Sequence, residues 1–204
     1  MLEKNLLSED YEQIVILGSG FDHSGALYSS KGFSVFEIDT PFMISNKQKM
    51  LGQFCFSLAG LHLCSIDPTN QNIKEVLTQT HVFDFDKKTL FLAEGFFDYL
   101  SLNSVRSILE SIKSFSSNFK IVSTFFDLGE LNRFMFTSGV AMVGETLKFP
   151  LNRKKFLELM SEYEIETKSQ LSYAEMRSDL VEKMNLETDL SVLKGFYILE
   201  SELN

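Results

Sequence analysis

Four consecutive apolar residues, Ile14, Val15, Ile16 and Leu17, break the polar opening of the chain. A short continuous run of this kind suits a parallel β-strand covered on both faces. Gly18-Ser19-Gly20 follows at once, and Asp22 to Ser30 then has helical character with Gly32 as a natural stop. Phe33 to Ile38 reads as a second strand that ends in Glu37-Ile38-Asp39. Beyond Pro41, apolar residues at 43, 44, 50, 51 and 54 keep a loose helical spacing over Phe42 to Phe56, with Lys47 and Lys49 expected outward. Gly60 punctuates that stretch, and Leu61 to Ile66 predicts a third strand closing on Asp67-Pro68. Pro68 holds Asp67 away from helical angles, so its carboxylate belongs at a strand-to-loop corner, where a cap or turn role is equally available.

Asn72 to Gln79 predicts a short helix, Thr89 to Ala93 a strand closed by Glu94-Gly95, and Phe96 to Leu100 an aromatic corner. Ser101 opens a helix over Leu102 to Phe115, in which Val105, Ile108, Leu109 and Ile112 share one apolar face. Phe119 to Phe126 is another strand, ended by Asp127. Leu128 to Pro150, broken by Gly139, Gly144 and Pro150, has a Phe and Met content that suits core, pocket lining or a partner-facing surface. Asn152 then caps a helix over Arg153 to Glu162, with Phe156, Leu157 and Met160 on one side. Glu164 to Leu171 predicts a strand, Ser172 to Met184 a helix, and Lys194 to Glu200 a closing strand. Such alternation defines the α/β class, expected here as a single domain over residues 1–204. Strands that each end in a glycine turn or a carboxylate imply an open parallel sheet with its ligand beyond the strands' carboxyl ends.

Composition narrows the class. The 204 residues are 44% hydrophobic and 23% charged, an ordinary globular balance. With 28 acidic against 19 basic residues the net charge is −9, which disfavours nucleic acid and anionic membranes as partners. No apolar run has the length of a membrane span and the first residues are not those of a signal peptide, so the expectation is a cytoplasmic protein. Cys55 and Cys64 lie in apolar company and read as reduced core residues, and three isolated histidines offer no metal site.

The chemistry gathers around the first glycine turn. Glycines there let the backbone turn sharply and let a ligand approach closely. A carboxylate at the end of the second strand is where nucleotide-binding α/β folds hold ribose hydroxyls. Against the G-x-G-x-x-G of dinucleotide sites, however, Gly25 falls two positions late. That offset argues against a pyrophosphate-bearing cofactor such as NAD, and leaves room for one with ribose and adenine but no phosphate, namely S-adenosylmethionine.

Several motifs coincide in order and separation: GSGFD (18–22), FEIDTP (36–41) with Lys47 six residues past its proline, SID (65–67) and LFLAEGFFDYL (90–100). On these residues the chain resembles the leucine carboxyl methyltransferase family of class I S-adenosylmethionine-dependent methyltransferases. The likeness runs clearly from Ile14 to Phe126. It implies a Rossmann-like class I methyltransferase fold, with a mostly parallel sheet and helices on both faces. It also implies that Gly18, Ser19 and Gly20 run under the methionine part of the cofactor while Asp22 steadies their turn. By the same likeness Asp39 would bind the ribose with Glu37 beside it. Asp67 would meet the adenine amino group and Ile66 flank the ring. Glu94 would end the fourth strand beside the methionine moiety, and Tyr99 would close that corner.

Two departures from the family pattern shape the remaining expectations. Ser24 stands where the family usually has arginine. The family's long helical segment before the first strand has no counterpart ahead of Gln13, so a lid is expected from elsewhere. The implied activity is O-methylation of a carboxylate or hydroxyl on a small molecule or peptide; the alternative is a non-catalytic subunit that binds the cofactor or a partner protein. An uncovered crevice also predicts that the chain does not work as a bare monomer, but as a homodimer or with a dedicated partner. His23, in the glycine turn, is more readily a turn or surface histidine than a general base.

Overall fold

The computed structural model describes residues 11–53, 58–67, 71–115, 119–127, 148, 151–176 and 195–203. Most of the polar opening, nearly all of the Phe- and Met-rich stretch to Pro150, and most of the helix expected after Ser172 lie outside these residues. The strands are β1 (Gln13–Leu17), β2 (Ser34–Asp39), β3 (Leu61–Ser65), β4 (Thr89–Ala93), β5 (Phe119–Phe126), β6 (Ile165–Ser172) and β7 (Phe196–Leu203). The helices are α1 (Ser24–Ser30), α2 (Pro41–Leu51), α3 (Ile73–Gln79), α4 (Leu102–Lys113) and α5 (Arg153–Glu162), with a 3-10 turn at Phe97–Tyr99.

Among the described residues the strands form one sheet in the order β3-β2-β1-β4-β5-β7-β6. β1 to β5 are mutually parallel, whereas β7 runs antiparallel between β5 and β6. The order reverses between β1 and β4, and that reversal opens a crevice at the carboxyl ends of the two strands. The continuous apolar run of β1 now has its reason. Val15 and Leu17 enter the core beneath α3, α4 and α5, while Ile14 and Ile16 enter the opposite core with Tyr28 of α1. The strand is buried along its whole length, so nothing polar alternates with the apolar residues.

Local signals fix the helices. Thr40 caps α2 through Met43 N–H, and Pro41 at the first helical position has no amide hydrogen to leave unpaired. Asn72 and Glu75 form a reciprocal capping box on α3, Ser101 accepts from Ser104 N–H at the start of α4, and Asn152 caps α5. Helix α5 buries Phe156, Leu159 and Met160, and Leu157 packs half-buried against the same core, so Leu159 joins the inward face expected of the other three. The ring of Phe156 stacks on that of Phe125 with centroids 4.8 Å apart. Among the described residues no helix is long and apolar enough to cross a membrane, and no group of histidines, cysteines and carboxylates could hold a metal.

Candidate functional site

The glycine turn is held at both ends by β2. Gly18 N–H donates to the Ile38 carbonyl at 2.8 Å, and Gly20 N–H donates to Asp39 Oδ2 at 2.8 Å. Gly18 and Gly20 take φ of +67° and +48°, a region that side chains disfavour. A Cβ on Gly18 would also stand 2.6 Å from the Phe96 ring, so this glycine is required twice over. The other oxygen of Asp39 accepts from Thr40 N–H at 2.6 Å. Asp39 thus ties the turn to the start of α2, and each carboxylate oxygen keeps a second lone pair for a ligand.

Beneath the turn lies a buried ion pair. Lys47 of α2 is 1% exposed and its Nζ stands 2.5 Å from Oε2 of Glu37, which is 0% exposed. Lys47 also donates to the Ser19 carbonyl at 3.4 Å. Burial pushes the Glu37 carboxyl above the ordinary carboxylate range, against the pull of the Lys47 charge. Sequence spacing predicted Lys47 outward; the correction follows from Glu37, which would otherwise be a lone buried carboxylate. Glu37 itself is fully buried and lines neither cavity described below; through Lys47 it supports the turn from underneath. The late third glycine is explained in the same way. A Cβ on Gly25 would collide with Glu37 Oε1, so α1 needs glycine there to pass over the buried pair.

Two cavities meet at Leu17 and Gly18, one on each side of the glycine turn. The first, of about 120 Å³, is a largely apolar slot running from Asp39 and Thr40 past Ile66 and Gln71 to Phe96 and Leu100. The second, of about 440 Å³, is walled by Ser19, Asp22, Glu94, Thr124, Tyr28 and Phe196. Asp22 accepts from both the backbone and the hydroxyl of Ser24, at 3.1 and 2.7 Å. Partial burial alone would raise the Asp22 carboxyl, but those hydrogen bonds hold it below its ordinary value. Phe21, 56% exposed, follows the turn, and Phe42, 75% exposed, stands in the first turn of α2. Both side chains are therefore solvent-exposed at positions that adjoin, in sequence, the glycine turn and Thr40.

The corner after β4 is built by Asp98. This residue is 3% exposed and its Oδ1 accepts from Phe126 N–H at 3.1 Å, while Oδ2 has no hydrogen-bond partner. Burial pushes its carboxyl up to about 6. Its carbonyl accepts from Lys148 N–H at 3.0 Å. Gly95 N–H donates to Thr124 Oγ1 at 2.7 Å, so the ends of β4 and β5 are also joined.

Of the residues singled out in the sequence, Gly18, Asp39 and Ile66 line the first cavity, and Gly18, Ser19, Asp22 and Glu94 the second. Gly20 binds Asp39 between them. Asp67 and Tyr99 are half-buried and line neither, Asp67 lying behind Gln71 and Tyr99 beside Gly95. Sequence reasoning did not single out Gln71 or Thr124. Gln71 carries no motif, and Thr124 sits inside an apolar strand run with nothing to mark it.

The chain matches the leucine carboxyl methyltransferase family over residues 2–113. It is 35% identical over 107 residues to a Mycobacterium ulcerans (strain Agy99) protein named for S-adenosyl-L-methionine-dependent methyltransferase activity. That match takes in 52% of this chain and 34% of the relative, so the chain spans about a third of the relative's length. Among solved structures, an S-adenosylmethionine-dependent methyltransferase from Mesorhizobium loti superposes with a TM-score of 0.66 at 11% identity, covering 93% of this chain and 90% of that one. The magnesium protoporphyrin IX methyltransferase ChlM of Synechocystis PCC 6803, with bound SAH, superposes with a TM-score of 0.63 at 8% identity, covering 100% and 78%. At those identities the two structures speak to the fold, which is that of the class I methyltransferases.

Proposed function

The chain belongs to the leucine carboxyl methyltransferase family, and from that premise we propose that it binds S-adenosylmethionine across the glycine turn and transfers its methyl group to an oxygen nucleophile. The acceptor is the hydroxyl or carboxylate of a small molecule or peptide. The observation that carries the reading is Asp39: a carboxylate at the end of β2, hydrogen-bonded to the Gly20 amide, at the mouth of an apolar slot.

The residues present fit that cofactor. Two ribose hydroxyls are donors, and a carboxylate with lone pairs to spare is a strong acceptor for them. The narrow slot between Ile66 and Phe96 suits a flat apolar-faced ring. The wider cavity, with Glu94 and Asp22 on its wall, suits a cationic amino group and a sulfonium. Among the described residues, nothing stands within 4 Å of where a Gly20 Cβ would be.

When bound, the cofactor would supply an electrophilic methyl group with a neutral thioether as leaving group, for an acceptor oxygen that gives up its proton, where it carries one, to solvent. The chain's own contribution is position and exclusion of water. An in-line displacement gains most from holding the partners in register. Asp39 and the slot fix one end, and the Glu37–Lys47 pair stiffens the turn from below by holding Ser19. Phe21 and Phe42 give the crevice an apolar rim on which an acceptor or a covering element can close. Carboxylates in the wider cavity favour a hydroxyl over an ionised carboxylate as acceptor.

Calorimetric titration with S-adenosylmethionine, S-adenosylhomocysteine and NAD in parallel tests the reading. Binding of the first two without the third is expected. Binding of NAD alone, or of none, overturns it.

A further inference from the structure

Among the described residues, the main chain just beyond β3 has its N–H groups already engaged where it borders the narrow slot. Ile66 N–H donates to the Asp39 carbonyl at 2.9 Å, and Asp67 N–H donates to Gln71 Oε1 at 3.0 Å. The next residue, Pro68, carries no N–H at all. Gln71 N–H in turn donates to the Asp67 carbonyl at 2.9 Å. The main chain on this side of the slot therefore has no donor left for a ligand at residues 66 to 68 or at 71. An adenine ring needs one, because its edge presents the acceptor N1 beside the donor N6 amino group.

The Gln71 side chain supplies what the main chain lacks. Asp67 N–H can only donate to an oxygen, which fixes Oε1 as the end of the amide turned toward Asp67. The other end, an NH₂ group with two donors, belongs to a side chain that lines the slot opposite Phe96 and Leu100. We propose that Gln71 selects adenine, donating from Nε2 to N1 of the ring while the N6 amino group falls toward Asp67. The inference rests on the slot being the adenosine site. Gln71 is then a specificity residue held in place by the same Asp67 that it borders. The two clasp each other across residues 68–70 through one side-chain and one main-chain hydrogen bond.

The hydroxyls of Thr40, Ser104 and Ser107 also line the slot, but Asn72, next in sequence to Gln71, is the competing amide donor. Its Oδ1 accepts from Glu75 N–H at 2.9 Å as the cap of α3, which commits the orientation of its amide to the helix. Asn72→Asp keeps that cap while removing the amide donor, and so separates the two residues.

The test is calorimetry with S-adenosylhomocysteine and S-inosylhomocysteine, whose base carries a donor N1–H where adenine has an acceptor. The wild type should prefer the adenosyl compound. Gln71→Glu keeps an oxygen for Asp67 N–H but faces the slot with an acceptor. It should weaken S-adenosylhomocysteine by about 10- to 100-fold and narrow or reverse the preference. Equal losses for both compounds, or an unchanged preference, would overturn the proposal, as would a shift of preference produced by Asn72→Asp instead. Should Gln71→Glu melt abnormally, the wild type alone decides. A 1-deaza analogue of S-adenosylhomocysteine, with carbon in place of N1, should bind about tenfold more weakly, and equal affinity would overturn the assignment. If the wild type binds no S-adenosylhomocysteine at all, the adenosine site itself is wrong and the assignment falls with it. Binding without base discrimination defeats Gln71 alone.

Discussion

Replacing Lys47 with methionine should destabilise the protein far more than a helix-surface change, and should do so in a pH-dependent way. Methionine has nearly the length and volume of the lysine stem, so the cavity contribution is small. What is lost is the positive charge paired with Glu37, whose side chain is fully buried. Removing one partner of a buried ion pair costs roughly 3–5 kcal/mol, which for a chain of this size is about 6–20 °C in Tm. The carboxyl of Glu37 already lies above its ordinary value because of burial, and without Lys47 it rises further. A carboxyl raised in the folded state holds its proton where the unfolded chain has lost it, so stability falls as pH climbs through that window. The variant should accordingly lose most at neutral pH and recover part of the deficit toward pH 5. Adding Glu37→Gln to Lys47→Met removes the stranded charge and should restore most of the loss. Circular-dichroism melts of the wild type, the single variant and the double variant at pH 5 and 7 read all of this. A deficit under about 1 kcal/mol, the range of an exposed pair, would refute the reasoning. So would a deficit that does not depend on pH, or a double variant no better than the single.

Asp39→Ala should weaken S-adenosylmethionine by about 1.5–3 kcal/mol per lost ribose contact and also lower Tm, because Gly20 and Thr40 lose their acceptor; titration and a melt on the same sample separate the two effects, and unchanged affinity would remove the ribose role. Gly25→Ala should cost about 1–3 kcal/mol, as for an overpacked core site, since its Cβ would fall on Glu37 Oε1, whereas Gly52→Ala meets nothing closer than 3.4 Å among the described residues and should be neutral or stabilising. Chemical denaturation of the pair checks that contrast. Asp98→Asn keeps the acceptor for Phe126 N–H but abolishes a carboxyl raised by burial to about 6. The wild type should lose stability as pH climbs from 4 to 7, by an amount on the order of 3 kcal/mol. The variant should lose correspondingly less over the same range, and parallel curves would contradict the shift.

How much of this could be read from the sequence depended on whether a residue's role is local. β4 and β5 carry their spans as buried stretches rich in apolar and β-branched residues, and Asn152 announces α5 by its cap, because strand burial and capping are short-range effects. The position of Asp39 at the end of β2 was legible for the same reason. Lys47 was not: its spacing on α2 looks like a solvent-facing lysine, and only the crossing of β2 beneath it turns that position inward. Gly25 misled in a related way, since its offset from a dinucleotide pattern reflects a carboxylate on another strand. Gln71 gave no signal at all. Its meaning comes from two hydrogen bonds to Asp67 and from a proline that removes a donor, and only the folded corner brings those together.

The most direct test of the account is a crystal structure of the protein with S-adenosylhomocysteine. The account predicts the adenine ring in the slot between Ile66 and Phe96, the ribose hydroxyls on Asp39, and the homocysteine chain passing the glycine turn toward Glu94. A ligand bound elsewhere, or one lying in the crevice with its ribose away from Asp39, would contradict it.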